Sequence, residues 1–256
     1  MDVTDTTATV SDVASGKVFT QVDGTTGTGT ASGGYSINDF IERSNVSGDV
    51  VYNGAITKLP IAAFAETQIT SFSSDVITTA GFGYQFFNCT QLKTVSLPNF
   101  APFATNTAVE MFRHCSSLET IYIPKFKRSG NYPFQGCSKL TMLVLPSIDY
   151  RLGIYACNEC TLLNTVDIGE NIGNTLCDGN AFTRTSLSTL ILRRTAGVIG
   201  TAANNFTSGA SFTCYVPSAL ISAYQTATNW SAMNITWKAI EGSYYETHYA
   251  DGTPVT

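Results

Sequence analysis

Charge is what this sequence has least of. Asp, Glu, Lys and Arg make up 13% of it, about half the usual share of a globular domain. Such a chain relies on polar, uncharged surfaces or on assembly to stay in solution, so a homo-oligomer is expected. The little charge present is acidic, with 14 basic against 19 acidic side chains and a net −5. That argues against general nucleic-acid binding. Long apolar runs are missing too. None approaches the roughly 20 residues of a membrane-spanning helix, so no membrane insertion is expected. The opening MDVTDTTATV lacks the basic and apolar segments of a secretory signal. Histidine occurs twice, as His114 and His248, with no ligand spacing. A P-loop, G-x-S-x-G and H-E-x-x-H are absent, as is a Cys–His pair at an open site. Acid pairs such as Asp149 or Glu159 with Asp167 are the residual candidates for sugar hydrolysis. A repeat accounts for most residues without them, so neither an enzyme nor a cofactor is expected.

What the sequence does have is the pattern F-x-x-C-x-x-L-x-x-[V/I/L]-x-[L/I]-P. Its clearest copy is Phe112, Cys115, Leu118, Ile121, Ile123 and Pro124. Others start at Phe86 and Phe134. One copy is degenerate, with Cys157 in the Phe slot, Cys160 in the Cys slot and Gly169 replacing proline. Copies from Phe64 and Phe182 are one residue shorter and carry Thr67 and Thr185 for Cys; a terminal copy keeps Phe206, Cys214, Val216 and Pro217. From Thr67 through Cys89, Cys115, Cys137 and Cys160 to Thr185 the spacings are 22, 26, 22, 23 and 25 residues. Self-similarity at this period specifies a solenoid of leucine-rich-repeat type.

Each unit has its own local logic. Segments such as TVSLP and TIYIP alternate as a short strand with one buried face, ended by proline or glycine. The F-x-x-C-x-x-L part, apolar at every third position, suits a tight 3₁₀-like or helical turn. The expected fold is therefore an α/β solenoid of short parallel strands and 3₁₀ or helical turns. Stacking makes ladders of Phe, Cys, Leu and Val/Ile, and each buried Leu or Phe contributes roughly 1.5–3 kcal/mol. The seven cysteines read mainly as small apolar groups in such a ladder. Disulfides between stacked units are the alternative, weakened because Thr replaces Cys in two units. Cys157-x-x-Cys160 has the form of half a zinc site or a redox pair, but both residues already fill repeat slots.

Residues 1–34 differ, being rich in Thr, Gly, Ser and Ala. The stretch DVASGKVFTQVDG suggests a short helical turn, a strand and a turn at Asp23-Gly24. Residues 35–55 lead into the solenoid, 56–217 hold the repeats and 218–241 form a C-terminal cap. In that cap Leu220, Tyr224 and Trp230 line one face of a short helix with Ser218 as N-cap. The tail 242–256 has no core pattern and reads as an arm that orders against a neighbour.

The repeat resembles the BspA-like class of leucine-rich repeats over residues 60–240, including the closing Tyr215, Val216, Pro217, Ala223, Tyr224 and Trp230. The resemblance implies a surface protein that binds other proteins, cells or matrix, rather than one activity. Cys157 and Gly169 depart from the pattern, so local distortion is expected there. The N-terminal stretch is similar to a segment of bacteriophage tail and other virion proteins. The matching residues include Asp5, Thr7, Ala8, Asp12, Val13 and Gly16-Lys17, followed by Phe19, Asp23-Gly24 and Thr26-Gly27-Thr28. It implies a module in 1–34 that attaches the chain to other virion proteins after assembly in the host cytoplasm.

Two outward stripes follow from the strand alignment. Ser71, Thr94, Thr120, Met142, Thr165, Thr189 and Thr213 form one, explained by strand propensity. The other is Ser73, Ser96, Tyr122, Val144, Asp167, Ile191 and Tyr215. Tyr122, Val144, Asp167, Ile191 and Tyr215 are its candidate binding residues, because contiguous exposed apolar and tyrosine surface marks interaction sites. Packing against another subunit or the N-terminal segment is the equal alternative. Lys125, Lys127 and Arg128 form a basic edge, read either as a contact for anionic polymers or as a solvated loop.

Together these features predict a bacteriophage virion protein: a tail fibre or receptor-binding protein, or a head fibre or decoration protein. Its solenoid would bind a host cell-surface protein or glycan. A cell-surface adhesin and a purely scaffolding subunit are the alternatives.

Overall fold

The structure is a computed structural model that describes residues 18–20, 26–28, 46–102 and 108–255. Most of the expected attachment segment lies outside these residues. Within it, β1 (Val18–Thr20) pairs antiparallel with β2 (Thr26–Thr28), so the expected strand is present and flanks the predicted turn.

From Val46 onward the chain is a stack of coils. Each contributes one short strand to a parallel sheet face. Strands β3 (Ser47–Val51), β5 (Gln68–Ser73), β7 (Thr94–Ser96) and β8 (Thr120–Tyr122) form a four-stranded sheet in that order. Strands β9 (Met142–Leu145), β10 (Thr165–Ile168), β11 (Thr189–Leu192), β12 (Ser211–Val216) and β13 (Asn234–Ala239) form a five-stranded one. A small pair, β4 (Lys58–Leu59) with β6 (Thr79–Ala80), lies apart from them. No ladder pairing joins β8 to β9 among the described residues. The register is the one the repeat alignment predicts: Ser71 opposes Thr94 and Thr94 opposes Thr120. Likewise Val144, Asp167, Ile191 and Tyr215 oppose one another in sequence.

The turn side departs from a helix. Residues five and one before Cys89, Cys115, Cys137 and Cys160 have positive φ: Tyr84 (63°) and Asn88 (56°) before Cys89, Glu110 (51°) and His114 (61°) before Cys115. The i→i−3 bonds of a 3₁₀ turn are made, as from Cys89 N to Phe86 O at 3.2 Å and Leu92 N to Cys89 O at 3.1 Å. Each left-handed residue stops the turn before it propagates and swings alternate N–H groups toward the next coil. Tyr84, Phe86 and Asn88 donate to the carbonyls of Val109, Met111 and Arg113 at 2.9, 2.9 and 2.8 Å. A second ladder thus runs along the turn side and offsets the left-handed strain.

Between the ladders, Phe64, Phe86, Phe112 and Phe134 stack face to face with centroids 5.5, 5.2 and 5.7 Å apart. Cys157 interrupts the stack, which resumes with Phe182 over Phe206 at 5.5 Å. The cysteines are buried and free, and four have a task that spacing did not reveal. Each thiol donates to the Phe carbonyl one coil back: Cys89 to Phe64 at 2.9 Å, Cys115 to Phe86 at 3.0 Å, Cys137 to Phe112 at 3.1 Å, Cys160 to Phe134 at 3.0 Å. Thr67 and Thr185 instead bond the Phe carbonyl of their own coil at 2.7 and 2.9 Å. A hydroxyl on a shorter bond stays local; the longer C–S bond reaches across.

The coil around Gly169 is not distorted at its strand, since β10 keeps full register with both neighbours. Glycine fits there because an added Cβ would lie 1.9 Å from the Pro146 carbonyl oxygen.

The cap helix is shorter than expected: a 3₁₀ turn at Ser218–Leu220 leads into α1 (Ile221–Thr226), which buries Tyr224, while Trp230 is buried from a turn four residues beyond the helix end. Ser218 is not its side-chain cap. The carboxylate of Glu241 does that work, accepting from the Ser218 N–H at 2.8 Å. The strand β13, which closes the sheet beside β12, lay unrecognised in the cap segment.

Candidate functional site

The tail from Gly242 folds back onto the sheet face of its own chain rather than outward to a neighbour. A 3₁₀ turn at Tyr244–Glu246 precedes a small hairpin in which His248 bridges Pro254 and Tyr249 N donates to Thr253 O at 2.8 Å. Asp251 Oδ1 accepts from the N–H and hydroxyl of Thr253 at 3.0 and 2.7 Å, the mark of an Asx turn, with Gly252 at φ 88°.

What fastens this strap is a buried ion pair on the sheet. Arg193 Nε and Nη2 meet Asp167 Oδ1 and Oδ2 at 2.7 and 2.8 Å. The guanidinium also donates to the carbonyls of Tyr245 at 2.6 Å and His248 at 2.8 Å. Ala250 N–H donates to Asp167 Oδ2 at 2.9 Å, and the Tyr249 ring covers Arg193 at 4.5 Å. Burial pushes the Asp167 carboxyl above its ordinary range, against the pull of Arg193. Tyr215 meets Tyr245 edge-on at 4.7 Å.

The strap divides the five stripe candidates. Asp167 and Ile191 are wholly buried, and Tyr215 is half-buried against Tyr245. They do not form an open binding face, because this chain's own tail occupies it. Tyr122 remains 44% exposed and Val144 half-buried. The structure therefore brings Tyr122 and Val144 to open surface and not the other three.

Of the basic edge only Arg128 is neutralised by an acid, and the neighbouring Arg113 and Arg151 are paired as well. Arg128 pairs with Asp149 at 2.9 Å, Arg113 with Glu110 at 2.7 Å, and Arg151 with Asp178. Lys125 Nζ donates to Asn99 at 2.7 Å, and Lys127 is exposed.

Two depressions on the described surface share Ile121, Tyr122, Asp251 and Thr253. One, of about 530 Å³, is floored by the hydroxyl ladder of Ser71, Ser73, Thr94, Ser96 and Thr120. The other, of about 770 Å³, follows the strand-ending residues Pro98, Pro124, Pro146 and Pro217, with the strap hairpin as its opposite wall. No cluster of metal ligands occurs among the described residues. No helix among them is long and apolar enough to cross a membrane. Burial pushes the Cys177 and Cys214 thiols up, away from reactive thiolate.

Sequence reasoning missed Arg193 and the strap. The signal was present: Arg193 stands in the slot that holds proline or glycine elsewhere, and Asp167 lies diagonally across from it on the neighbouring strand. Two opposite charges in otherwise apolar, adjacent register positions mark a buried pair.

The profile of the BspA type leucine rich repeat region matches residues 40–128 and 105–211, in six copies. A leucine-rich repeat protein of Bacteroides ovatus superposes with a TM-score of 0.50 at 18% identity, over 78% of this chain and 44% of that one. A leucine rich cell surface protein of Faecalibacterium prausnitzii gives a TM-score of 0.47 at 18% identity, over 92% of this chain and 57% of that one. This chain thus spans about half the length of these two structures. No curated protein sequence matches it.

Proposed function

The chain belongs to the BspA-type leucine-rich repeat family, and from that footing we propose that it is a non-catalytic recognition subunit of a bacteriophage virion. Residues 1–34 attach it to other virion proteins, and the solenoid presents its sheet face to a macromolecule on the host surface. The observation that carries the recognition half is the two-part groove around Tyr122, an exposed aromatic ring on the sheet face beside the part that the strap covers. Exposed tyrosine beside a concavity is the chemistry of an interface anchor. The virion half is supported by the likeness of the 1–34 segment to virion proteins.

Immunogold microscopy of purified particles, with antibody to residues 56–240, tests the placement. Label at the tail tip is expected for a receptor-binding protein, and label over the capsid for a head fibre or decoration protein. Bare particles overturn the virion reading and leave a cell-surface adhesin of the same fold. Particles carrying Tyr122→Ala test the recognition half. Normal assembly with reduced host adsorption is expected, whereas defective assembly assigns the face to scaffolding.

A further inference from the structure

We propose that the longer depression is a docking groove for an extended polypeptide segment bearing lysine or arginine, and that the C-terminal strap is built as one of its walls. This rests on the recognition reading above and names the chemistry of its ligand.

The groove is elongated along the coil axis. Its lining touches the strand ends of six successive coils, at Pro98, Pro124, Pro146, Glu170, Thr195 and Pro217. At about 4.8 Å per coil, five steps make roughly 24 Å. An extended chain rises about 3.3 Å per residue, so some seven residues fit along it. The floor is apolar, formed by Ile121, Val144, Pro124 and Pro146, with Pro254 and Val255 contributed by the strap. Proline has no N–H, so much of this floor offers no backbone donor.

The rim is acidic. Glu170, Glu241, Glu246 and Asp251 all line the groove. Of the two cations there, Arg193 is consumed by Asp167 inside the sheet, so only Lys125 opposes the four carboxylates. Three of these carboxylates are fixed in place by backbone N–H groups: Glu241 by Ser218 at 2.8 Å, Glu246 by Gly242 at 2.8 Å and Asp251 by Thr253 at 3.0 Å. Glu246 and Asp251 each keep a second oxygen for a ligand, so the field is preorganised.

Apolar floor and acidic rim match one side-chain design. Lysine and arginine lay an apolar stem along a greasy surface and hold a cationic head at its edge. An anionic polymer is repelled here, and a neutral sugar can donate its hydroxyls to the carboxylates but gains no charge attraction from the acidic field. The partner this surface fits is therefore a basic, extended peptide segment.

The test uses the full-length chain and four fluorescent probes: (Lys-Pro-Val)4, (Ser-Pro-Val)4, (Glu-Pro-Val)4 and a neutral chitin hexasaccharide. The lysine peptide is expected to bind at least about tenfold more tightly than the serine peptide, with affinity falling as salt rises, and the glutamate peptide to fail. Glu170→Gln and Asp251→Asn, both at exposed positions, are expected to weaken the lysine peptide several-fold while leaving the melting temperature unchanged. Equal binding of all three peptides, binding of none, or capture of the saccharide alone overturns the proposal. Host adsorption of particles carrying Glu170→Gln and Asp251→Asn separates the two readings. If adsorption persists at full level while the peptides fail, the recognition reading stands and this inference falls. If no particle carries the chain, the reading beneath it falls first.

Discussion

Arg193 holds Asp167 fork to fork across neighbouring strands, and the same guanidinium grips the tail through the carbonyls of Tyr245 and His248. One arginine therefore links the sheet, the buried acid and the last residues of the chain. Both charges are buried: Asp167 is 0% and Arg193 8% exposed.

Removing one partner leaves the other charge buried and alone. Asp167→Asn is expected to cost about 3–5 kcal/mol in urea unfolding. It should also expose the strap to chymotrypsin at Tyr244, Tyr245 and Tyr249. The double change Asp167→Leu with Arg193→Met removes both charges and should recover most of the stability. Its strap should still be cleaved, because the tail carbonyls have lost their donor. A single Asp167→Asn protein as stable and protease-resistant as the parent would refute the strap's dependence on this pair.

The cysteine ladder makes a quantitative prediction. Cys115→Ala deletes the thiol that reaches back to Phe86 O and leaves a small void. That carbonyl still accepts from Cys89 N at 3.2 Å, so the loss should be modest, about 1–2 kcal/mol. In the native protein none of the seven cysteines should react with a thiol reagent within minutes, and all should react in guanidinium. Fast labelling of any one under native conditions would contradict its burial.

The repeats made almost the whole stack legible, down to the register of Ser71 with Thr94 and of Asp167 with Ile191. Fixed spacing sets each side chain's place in a one-dimensional stack. What escaped were features that do not repeat. The strap carries no pattern, because its partners lie as far as 83 residues away along the chain, as for Ala250 and Asp167. Strand β13 hid because the closing coil has lost the repeat pattern. Apolar residues at every third place predict the 3₁₀-like turns, and their i→i−3 bonds are present, but the spacing carries no sign that Tyr84, Glu110 and Tyr155 adopt positive φ without being glycine. Only the bonds to the next coil make that conformation worthwhile.

Gly169 replaces proline where Pro146 O approaches most closely. Gly169→Ala would set a methyl 1.9 Å from that oxygen, so β9 and β10 must part locally at a cost of about 1–3 kcal/mol. Gly173→Ala, whose new methyl would find nothing nearer than 3.8 Å, is the control. Thermal melts of the two variants should separate clearly; equal melting points would contradict the close approach.

Glu241 gives the C-terminal cap an acid dependence. Its own backbone N–H and that of Ser218 hold its carboxyl below the ordinary range. A depressed carboxyl stabilises above the unfolded-state value, about 4.3, and loses that contribution as pH falls through its folded value. Glu241→Gln should therefore melt below the parent at pH 7, and the difference should close in strong acid. A gap that widens on acidification would show the sign to be wrong.

The missing ladder between Tyr122 and Met142 has a mechanical meaning. At that level the two halves are joined by the stacked rings of Phe112 and Phe134 and by turn-side bonds such as Phe112 N to Pro133 O at 2.8 Å. The strand faces there carry no backbone tie. Load applied along the axis would meet the least backbone resistance at this level of the sheet face. The sheet face thus has a seam between two ladder-bonded blocks, bridged beyond the strands by Asp149 N to Lys127 O at 3.0 Å and by Arg128 to Asp149 at 2.9 Å, and the groove around Tyr122 lies across that seam. A partner seated there would feel the tension borne by the chain that holds it.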